Sequence, residues 1–251
     1  MKKTLLLIAA AMALCACQIN LGDLKNLKIG NSKTVRCDGE VLEKTFDYSG
    51  FDAISVKGNA NVTFVQDDSF LVSVKANKEV FDYLEFKLDD GKLVISTEDG
   101  VNIVAKTYKV TVQAPLLTDV NVSGAADLDI VDGYTSEKPL DIEVHGAGDL
   151  SFVGVSLPSL DIEVHGAADL DIVNAIVPEL SVAVHGAGDV DIDNVESDSV
   201  SLTVRGAGDA RITGTARSAD FHVTGAGSID ARSLKCENVT TAKSGAASIR
   251  L

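Results

Sequence analysis

Three histidines, His145, His165 and His185, recur every 20 residues and are the first candidates for chemistry in this chain. Each precedes a glycine-rich turn, so one turn per layer would stack the imidazoles about 4.8 Å apart on neighbouring strands. Imidazole is a common ligand of zinc, and neighbouring rings can share an ion. However, side chains in a ladder point the same way without converging, and the next residue in the series is Arg205, which has no lone pair to donate. The sequence therefore predicts no metal centre, with the shared ion as the alternative.

A second series consists of aspartates at the fourth position of five successive turns: Asp127, Asp149, Asp169, Asp189 and Asp209. Carboxylates stacked one strand apart repel each other by about 0.9 kcal/mol per pair in a water-like dielectric. A hydrogen bond from the backbone of the same turn, worth about 1 kcal/mol, offsets that repulsion. Calcium would offset it more, but the sequence lacks the glycine-rich nonapeptides of calcium-binding β-rolls. We interpret these aspartates as structural turn residues.

Carboxylate pairs such as Asp141/Glu143 and Asp161/Glu163 suggest hydrolysis of a glycan as a function to be considered, because most glycosidases act through two carboxyl groups. An enclosed site needs long loops, and the connections here are short and even. The chain has no tryptophan to stack on a sugar, and no nucleophile elbow, phosphate-binding loop or zinc hydrolase motif. The sequence thus predicts no catalytic and no cofactor-binding residues. The alternative is a polysaccharide lyase or hydrolase with a shallow acidic site.

A glycine turn that recurs about every 20 residues organises the part of the chain that carries these residues. It reads GAAD or GAGD at five positions and GAGS or GAAS at two more, beginning at Gly124, Gly146, Gly166, Gly186, Gly206, Gly225 and Gly245. A fixed period of this length indicates stacked, self-similar rungs. Glycine permits the positive φ of a sharp corner, and we expect the alanine after it to point into that corner.

Apolar and polar residues alternate on both sides of each turn, as in Leu160–His165 and Asp169–Ile172. Alternation with period two, rich in β-branched residues, is typical of half-buried strands. Each rung is expected to hold two strands and a short third one. The sequence therefore predicts an all-β fold, a parallel β-helix with rungs of about 20 residues over 123–251.

The preceding region, 39–122, is less regular but also reads as strands and belongs to the same single domain, 39–251. Asp90-Gly91 between two alternating runs is a strong hairpin signal. Asn77–Leu84 is expected to form one helical turn with Asn77 as its cap. Gly58 begins a stretch, GNAN, that imitates the later turns.

The first 17 residues have the pattern of a bacterial lipoprotein signal peptide. Lys2 and Lys3 precede an apolar run, Leu5–Leu14, that is too short to span a bilayer. Leu14-Cys15-Ala16-Cys17 is similar to a lipobox, which makes Cys17 the lipidated residue; the alternative is an ordinary secretory signal. Residues 18–38 are polar and glycine-containing, and we interpret them as a flexible tether to the membrane.

The net charge limits the classes of partner, and the cysteines limit the possible disulfides. The formal net charge of −15 argues against binding to nucleic acid. Beyond the leader only Cys37 and Cys236 remain. In an oxidising compartment they form either a disulfide between the two ends of the chain or two unrelated thiols. A parallel solenoid keeps its ends apart, which favours the thiols.

The chain resembles the family of putative auto-transporter adhesins with a head GIN domain, a domain of unknown function. The resemblance rests on Phe51–Gly58 (FDAISVKG), Asp89–Ile95 (DDGKLVI), Ala114-Pro115-Leu116 and the repeated GAGD turn. It covers roughly Phe46–Leu251. It implies a right-handed β-helix carried by a bacterial envelope lipoprotein, and it implies no chemistry.

These observations together predict a non-enzymatic, adhesin-like envelope lipoprotein. Its partners would be the membrane, through the lipid anchor, and a protein or glycan along the repetitive face, with a second copy of the chain as a further candidate. Acidic clusters often follow the lipidated cysteine of surface-exported lipoproteins, and Gln18–Asp23 holds a single acid. The expected location is therefore the outer membrane, with the periplasmic side slightly favoured over the cell surface.

Overall fold

The structure is a computed structural model that describes residues 33–131 and 133–251. The signal peptide with Cys17, and the tether up to residue 32, lie outside the described residues. None of the helices in the described ranges is long and apolar enough to cross a membrane. The structural account therefore concerns the β domain.

Almost every described residue of the domain lies in a strand or a tight turn, as the alternating pattern predicts. The strands are β1 (Lys33–Cys37), β2 (Val41–Phe46), β3 (Ala53–Gly58), β4 (Asn61–Gln66), β5 (Leu71–Asn77), β6 (Leu84–Asp89), β7 (Lys92–Thr97), β8 (Val101–Ala105), β9 (Tyr108–Ala114), β10 (Asp119–Gly124), β11 (Asp127–Val131), β12 (Leu140–Val153), β13 (Ser159–Ile176), β14 (Glu179–Gly186), β15 (Val190–Gly206), β16 (Asp209–Gly225), β17 (Ser228–Gly245) and β18 (Ser248–Arg250). One 3₁₀ turn, Lys78–Asp82, is the single helical element in the described ranges.

From β10 onward the rungs stack in parallel and in register, so the predicted parallel β-helix is confirmed. In β12 and β13, residue 140 lies opposite 160 and every later residue opposite its counterpart 20 positions on, as far as Val153 and Val173. The same register continues from β13 to β14. We call the strand segments before the glycine corner the first sheet and those after it the second sheet. The third, short strand is also present, at Ala175 and Ile176 opposite Val195 and Glu196.

The core lies inside the coil as columns of identical or similar side chains. One column runs from Ile142 through Ile162, Val182 and Leu202 to Phe221, and all five are buried. Burying a side chain of this size contributes about 1.5–3 kcal/mol relative to leaving it in water. In β17 the same column continues as exposed Thr241, so the apolar column ends there in a polar residue.

The glycine corner requires glycine for two independent reasons. The first glycine of each turn has a positive φ, for example 151° at Gly166. In addition, a Cβ built on Gly166 would lie 1.8 Å from the carbonyl oxygen of Gly146 in the rung below. The expectation for the next residue was wrong: Ala167 is exposed, and the third residue, Ala168, points into the core. The buried positions 160, 162, 164, 168, 170 and 172 keep the period of two across the corner, so Ala168 is the inward residue and Ala167 is not.

A second corner that sequence reasoning missed follows the second sheet. Asn174 and Asn194 occupy it with φ of 58° and 60°, the left-handed conformation that asparagine tolerates better than most residues. The Asn194 side-chain amide donates to Asn174 Oδ1 at 2.8 Å, which ties the two rungs together. The signal in the sequence was an asparagine 20 residues after another.

The N-terminal region closes one end of the coil with antiparallel strands. β3 and β4 pair in register with β10 and β11, and Gly58 lies opposite Gly124, which confirms the imitation turn. The second sheet continues with β9, which is parallel to β4, and then with β5 and β2, which are antiparallel to their neighbours. The first sheet continues with β7 and β6, which form the expected hairpin. The helical turn is present, but Asn77 does not cap it with its side chain: the amide binds Gly39 and Thr107 instead.

Two sequence expectations about the ends of the domain need correction. Lys33–Cys37 forms strand β1 on β8, so the last part of the expected tether 18–38 belongs to the fold. Cys37 and Cys236 are both free thiols, in β1 and β17 respectively, so the disulfide alternative is wrong. Burial, together with nearby Glu79, raises the pKa of the Cys37 thiol, which keeps it protonated and unreactive.

Candidate functional site

The three histidines lie on the outer face of the first sheet, one per rung, because β12, β13 and β14 pair residue for residue. Their rings form a continuous stack. The centroids of His145 and His165 are 4.9 Å apart with planes inclined by 9°, and His165 and His185 repeat the same values. We call His145, His165 and His185 the histidine column. Its side chains become less exposed along the column, from 48% at His145 to 24% at His185.

Two glutamates, Glu143 and Glu163, contact the histidine column. Each lies two residues before a histidine of the same strand. Glu143 Oε1 lies 2.7 Å from His145 Nε2. Glu163 Oε1 lies 3.0 Å from His165 Nε2 and 3.5 Å from His185 Nε2. Glu143, His145 and His165 each bring one ligand-type atom into a group whose members lie within 4.8 Å of one another. Carboxylates and imidazoles therefore converge here, which a ladder of histidines alone would not achieve.

The column ends differently on its two sides. Toward the N-terminus, Ser123 lies opposite His145, and its hydroxyl binds Asn121. Toward the C-terminus, Arg205 lies opposite His185, and its guanidinium Nη1 is 3.3 Å from His185 Nε2. Because arginine only donates, His185 Nε2 is the acceptor in this contact. Thr224 follows Arg205 and continues the column as a polar residue.

The aspartate column occupies the start of the second sheet, as expected for turn residues, but its hydrogen bonds differ from the expectation. Asp127, Asp169 and Asp189 each accept from a backbone N–H of the next rung, at 3.2, 3.0 and 2.9 Å, and not from their own turn. Each N–H belongs to the aspartate that follows in the column. Hydrogen bonds therefore join neighbouring rungs at three of the four steps of the column, and these bonds offset the repulsion between carboxylates.

Several other carboxyls on the two outer faces have raised pKa values. Partial burial, and then the charges of Asp161 and Asp119, raise the pKa of Asp141 on the first sheet. On the second sheet, partial burial and then Asp191 raise the pKa of Asp171. Close rows of like charges disfavour full ionisation. Both faces are therefore strongly acidic, and they attract cations and repel anions.

Two adjoining shallow grooves cross the first sheet. One, of about 290 Å³, lies over Asp119, Asp141, Glu143, Asp161 and Glu163. The other, also of about 290 Å³, lies over Ser159, Glu179, Ser181, Ser199 and Ser201 and shares Asp141 and Asp161 with the first. We call the two together the first-sheet groove. It is polar, spans at least four rungs and presents hydroxyls at one end and carboxylates at the other.

Comparison with models of known protein families identifies the family of this chain. The family model described as "Putative auto-transporter adhesin, head GIN domain" matches residues 50–213 and, again, residues 155–251. This chain belongs to that family. The match covers most of the chain, and the resemblance seen in the sequence is confirmed.

Solved structures of low sequence identity share the fold. A putative adhesin from Bacteroides fragilis NCTC 9343 is 20% identical with a TM-score of 0.76, and the alignment covers 86% of this chain and 99% of that one. A putative adhesin from Parabacteroides distasonis ATCC 8503 is 19% identical with a TM-score of 0.68, covering 87% and 100%. A third structure, titled a putative lipid binding protein from the same organism, is 18% identical with a TM-score of 0.66, covering 87% and 99%. No curated protein matches the chain.

Proposed function

We propose that this chain is a non-enzymatic envelope lipoprotein that binds an extended partner along the first-sheet groove. The observation that carries the proposal is the in-register repetition of polar side chains across that groove. A catalytic site needs a few unlike groups that converge on one reacting atom. A repeated face instead offers the same contact once per rung. The family description, an adhesin, agrees with a binding role.

The chemistry of the groove indicates which extended partners fit. Its carboxylates, with Asp141 and Asp161 at the centre, favour a neutral or cationic chain over an acidic one. The hydroxyls of Ser181 and Ser201 supply donors and acceptors for a glycan or a polypeptide backbone. Several weak contacts in a row add up to useful affinity because each one raises the local concentration for the next. A glycan or protein of this kind, or a second copy of the chain, is the proposed partner.

A polysaccharide-active enzyme is the second candidate, and one observation favours it. Partial burial, and then the carboxylate of Asp161, raise the pKa of Asp141, and glycosidases use a carboxyl with a raised pKa as the proton donor. The groove is, however, open along its length, so it neither encloses a bound sugar nor excludes bulk water from it. We therefore propose binding without cleavage.

The binding proposal is tested with immobilised polysaccharides of three kinds: a neutral glucan, the cationic chitosan and the acidic pectate. We expect retention of the purified protein on the neutral or cationic chain, little on pectate, and no new reducing ends in any of them. Asp161→Lys should weaken retention about tenfold. The matched change Asp171→Lys, on the second sheet, should leave it unchanged. New reducing ends that disappear in Asp141→Asn would place the enzyme first.

The membrane anchor is proposed at Cys17, at the outer membrane and on its periplasmic side. The support is the lipobox-like Leu14-Cys15-Ala16-Cys17 after a charged and apolar leader. We expect the intact mass of the protein extracted from membranes to carry a diacylglyceryl group on Cys17, and Cys17→Ala to release the protein into the soluble fraction. A Cys17→Ala protein that stays lipid-modified would refute the anchor. Protease treatment of intact cells, which cuts only surface-exposed protein, tests the side.

A further inference from the structure

We propose that Glu143, His145 and His165 form a surface site for a transition-metal ion of the Zn²⁺ or Cu²⁺ class. This inference goes beyond the proposed function and does not depend on it. It also departs from the sequence expectation of no metal centre. That expectation rested on parallel side chains, and it left out Glu143, whose carboxylate reaches His145 from two residues earlier in the strand.

The ligand atoms of Glu143, His145 and His165 lie within 4.8 Å of one another. Zinc binds imidazole nitrogen and carboxylate oxygen at about 2.0–2.2 Å, so two ligands of a tetrahedral ion lie about 3.3 Å apart. Glu143 Oε1 and His145 Nε2 are 2.7 Å apart. The rings of His145 and His165 are stacked with centroids 4.9 Å apart, so the two rings must tilt toward each other to place both nitrogens on one ion.

The side chains have the freedom to make that movement, whereas the backbone that carries them is fixed. The side chains of Glu143, His145 and His165 are 38–49% exposed, so rotation about their outer bonds meets little resistance. Their Cα atoms are held by the continuous parallel pairing of β12 and β13. The ordering cost of binding is therefore limited to three side chains, because the strands are already in place.

Arg205 determines which two histidines take part. It donates to His185 Nε2, and its positive charge repels a cation at that end of the column. At the His145/His165 end, Glu143, Glu163, Asp141 and Asp161 line the groove. The basic residue of the column on that side is Lys57, which lies one rung beyond Ser123 and two rungs from His145. The metal is thus expected between the first two rungs of the column, where the field is negative.

The donor set selects the class of ion. Two imidazoles with one carboxylate suit zinc, copper and nickel, while calcium and magnesium prefer oxygen-only sites. Copper binds more tightly than zinc to a given nitrogen and oxygen set. Since each imidazole must be deprotonated at Nε2, binding releases protons and weakens as the pH falls.

The site is tested with Cu²⁺ and Zn²⁺ on the purified full chain. We expect one ion per chain by titration calorimetry, and an electron paramagnetic resonance spectrum of the Cu²⁺ form with two coordinated imidazole nitrogens. His145→Ala and His165→Ala should each raise Kd about tenfold or more and leave one imidazole nitrogen in the spectrum. Circular dichroism should show that both variants remain folded, because both residues lie on the outer face.

His222 provides the matched control. It lies on the same sheet, and its Nε2 is 2.9 Å from Asp220 Oδ1, so it repeats the imidazole–carboxylate pair without a stacked histidine beside it. His222→Ala should change Kd less than twofold. Thiols are common to all the variants, so the differences between variants report the histidines alone. Equal effects of His165→Ala and His222→Ala, or a Cu²⁺ spectrum that His165→Ala leaves unchanged, would refute the site.

Discussion

Replacing Gly166 by alanine is expected to destabilise the domain by about 3 kcal/mol or more. The added Cβ would lie 1.8 Å from the carbonyl oxygen of Gly146, which is backbone and cannot rotate away, so two rungs must separate. A positive φ, 151°, adds strain of about 1–2 kcal/mol for any residue with a Cβ. Chemical denaturation followed by far-UV circular dichroism measures the loss.

Gly100 is the matched control for Gly166. It also has a positive φ, 76°, but nothing lies within 4 Å of the Cβ that alanine would add. Gly100→Ala should therefore cost only the conformational strain, about 1–2 kcal/mol. If the two variants lose the same stability, close contact between rungs is not what requires glycine at the corner.

Shortening Ile162 to alanine is the second change with a large expected effect, about 2–5 kcal/mol. Ile162 is fully buried between Ile142 and Val182, so the missing atoms leave a cavity that the stacked rungs cannot close without breaking register. The loss is measured as a shift of the denaturation midpoint.

The neighbouring residue in the strand serves as the control for the Ile162 experiment. Asp161 is exposed on the outer face, and Asp161→Ala should stay within about 0.5 kcal/mol of the wild type. Similar losses from the two changes would mean that the strand faces are assigned the wrong way round.

The repeat explains why so much of the coil was predictable. Period-two alternation fixes which side of a strand faces the core, and a 20-residue period fixes the strand's partner, so Ile162 could be placed opposite Ile142 without coordinates. The N-terminal strands offer no such period. That β5 pairs antiparallel with both β2 and β9 depends on contacts between distant segments that alternation does not specify.

Three details of the corners and the outer faces were wrongly predicted or missed. Ala168 faces inward because the period of two continues through the corner from Val164 to Leu170, a signal that the sequence already carried. The bond from the backbone N–H of Asp189 to the carboxylate of Asp169 exists only once the rungs are stacked. The approach of Glu143 to His145 depends on side-chain rotamers, although a glutamate two residues before each of two histidines was a signal in the sequence.

The strict register also bears on how such a chain changes in length over generations. Because residue 160 repeats the environment of residue 140, a duplication or deletion of one 20-residue unit in the gene joins a rung to a neighbour of the same shape. Core columns, corner glycines and hydrogen bonds are all restored at the new junction. Other lengths must be absorbed at a turn or a bulge, as in the 22-residue step from Gly124 to Gly146 and the 19-residue step from Gly206 to Gly225. Inheritance can therefore lengthen or shorten the binding face in whole steps, while substitutions on the outer face alter its chemistry one rung at a time.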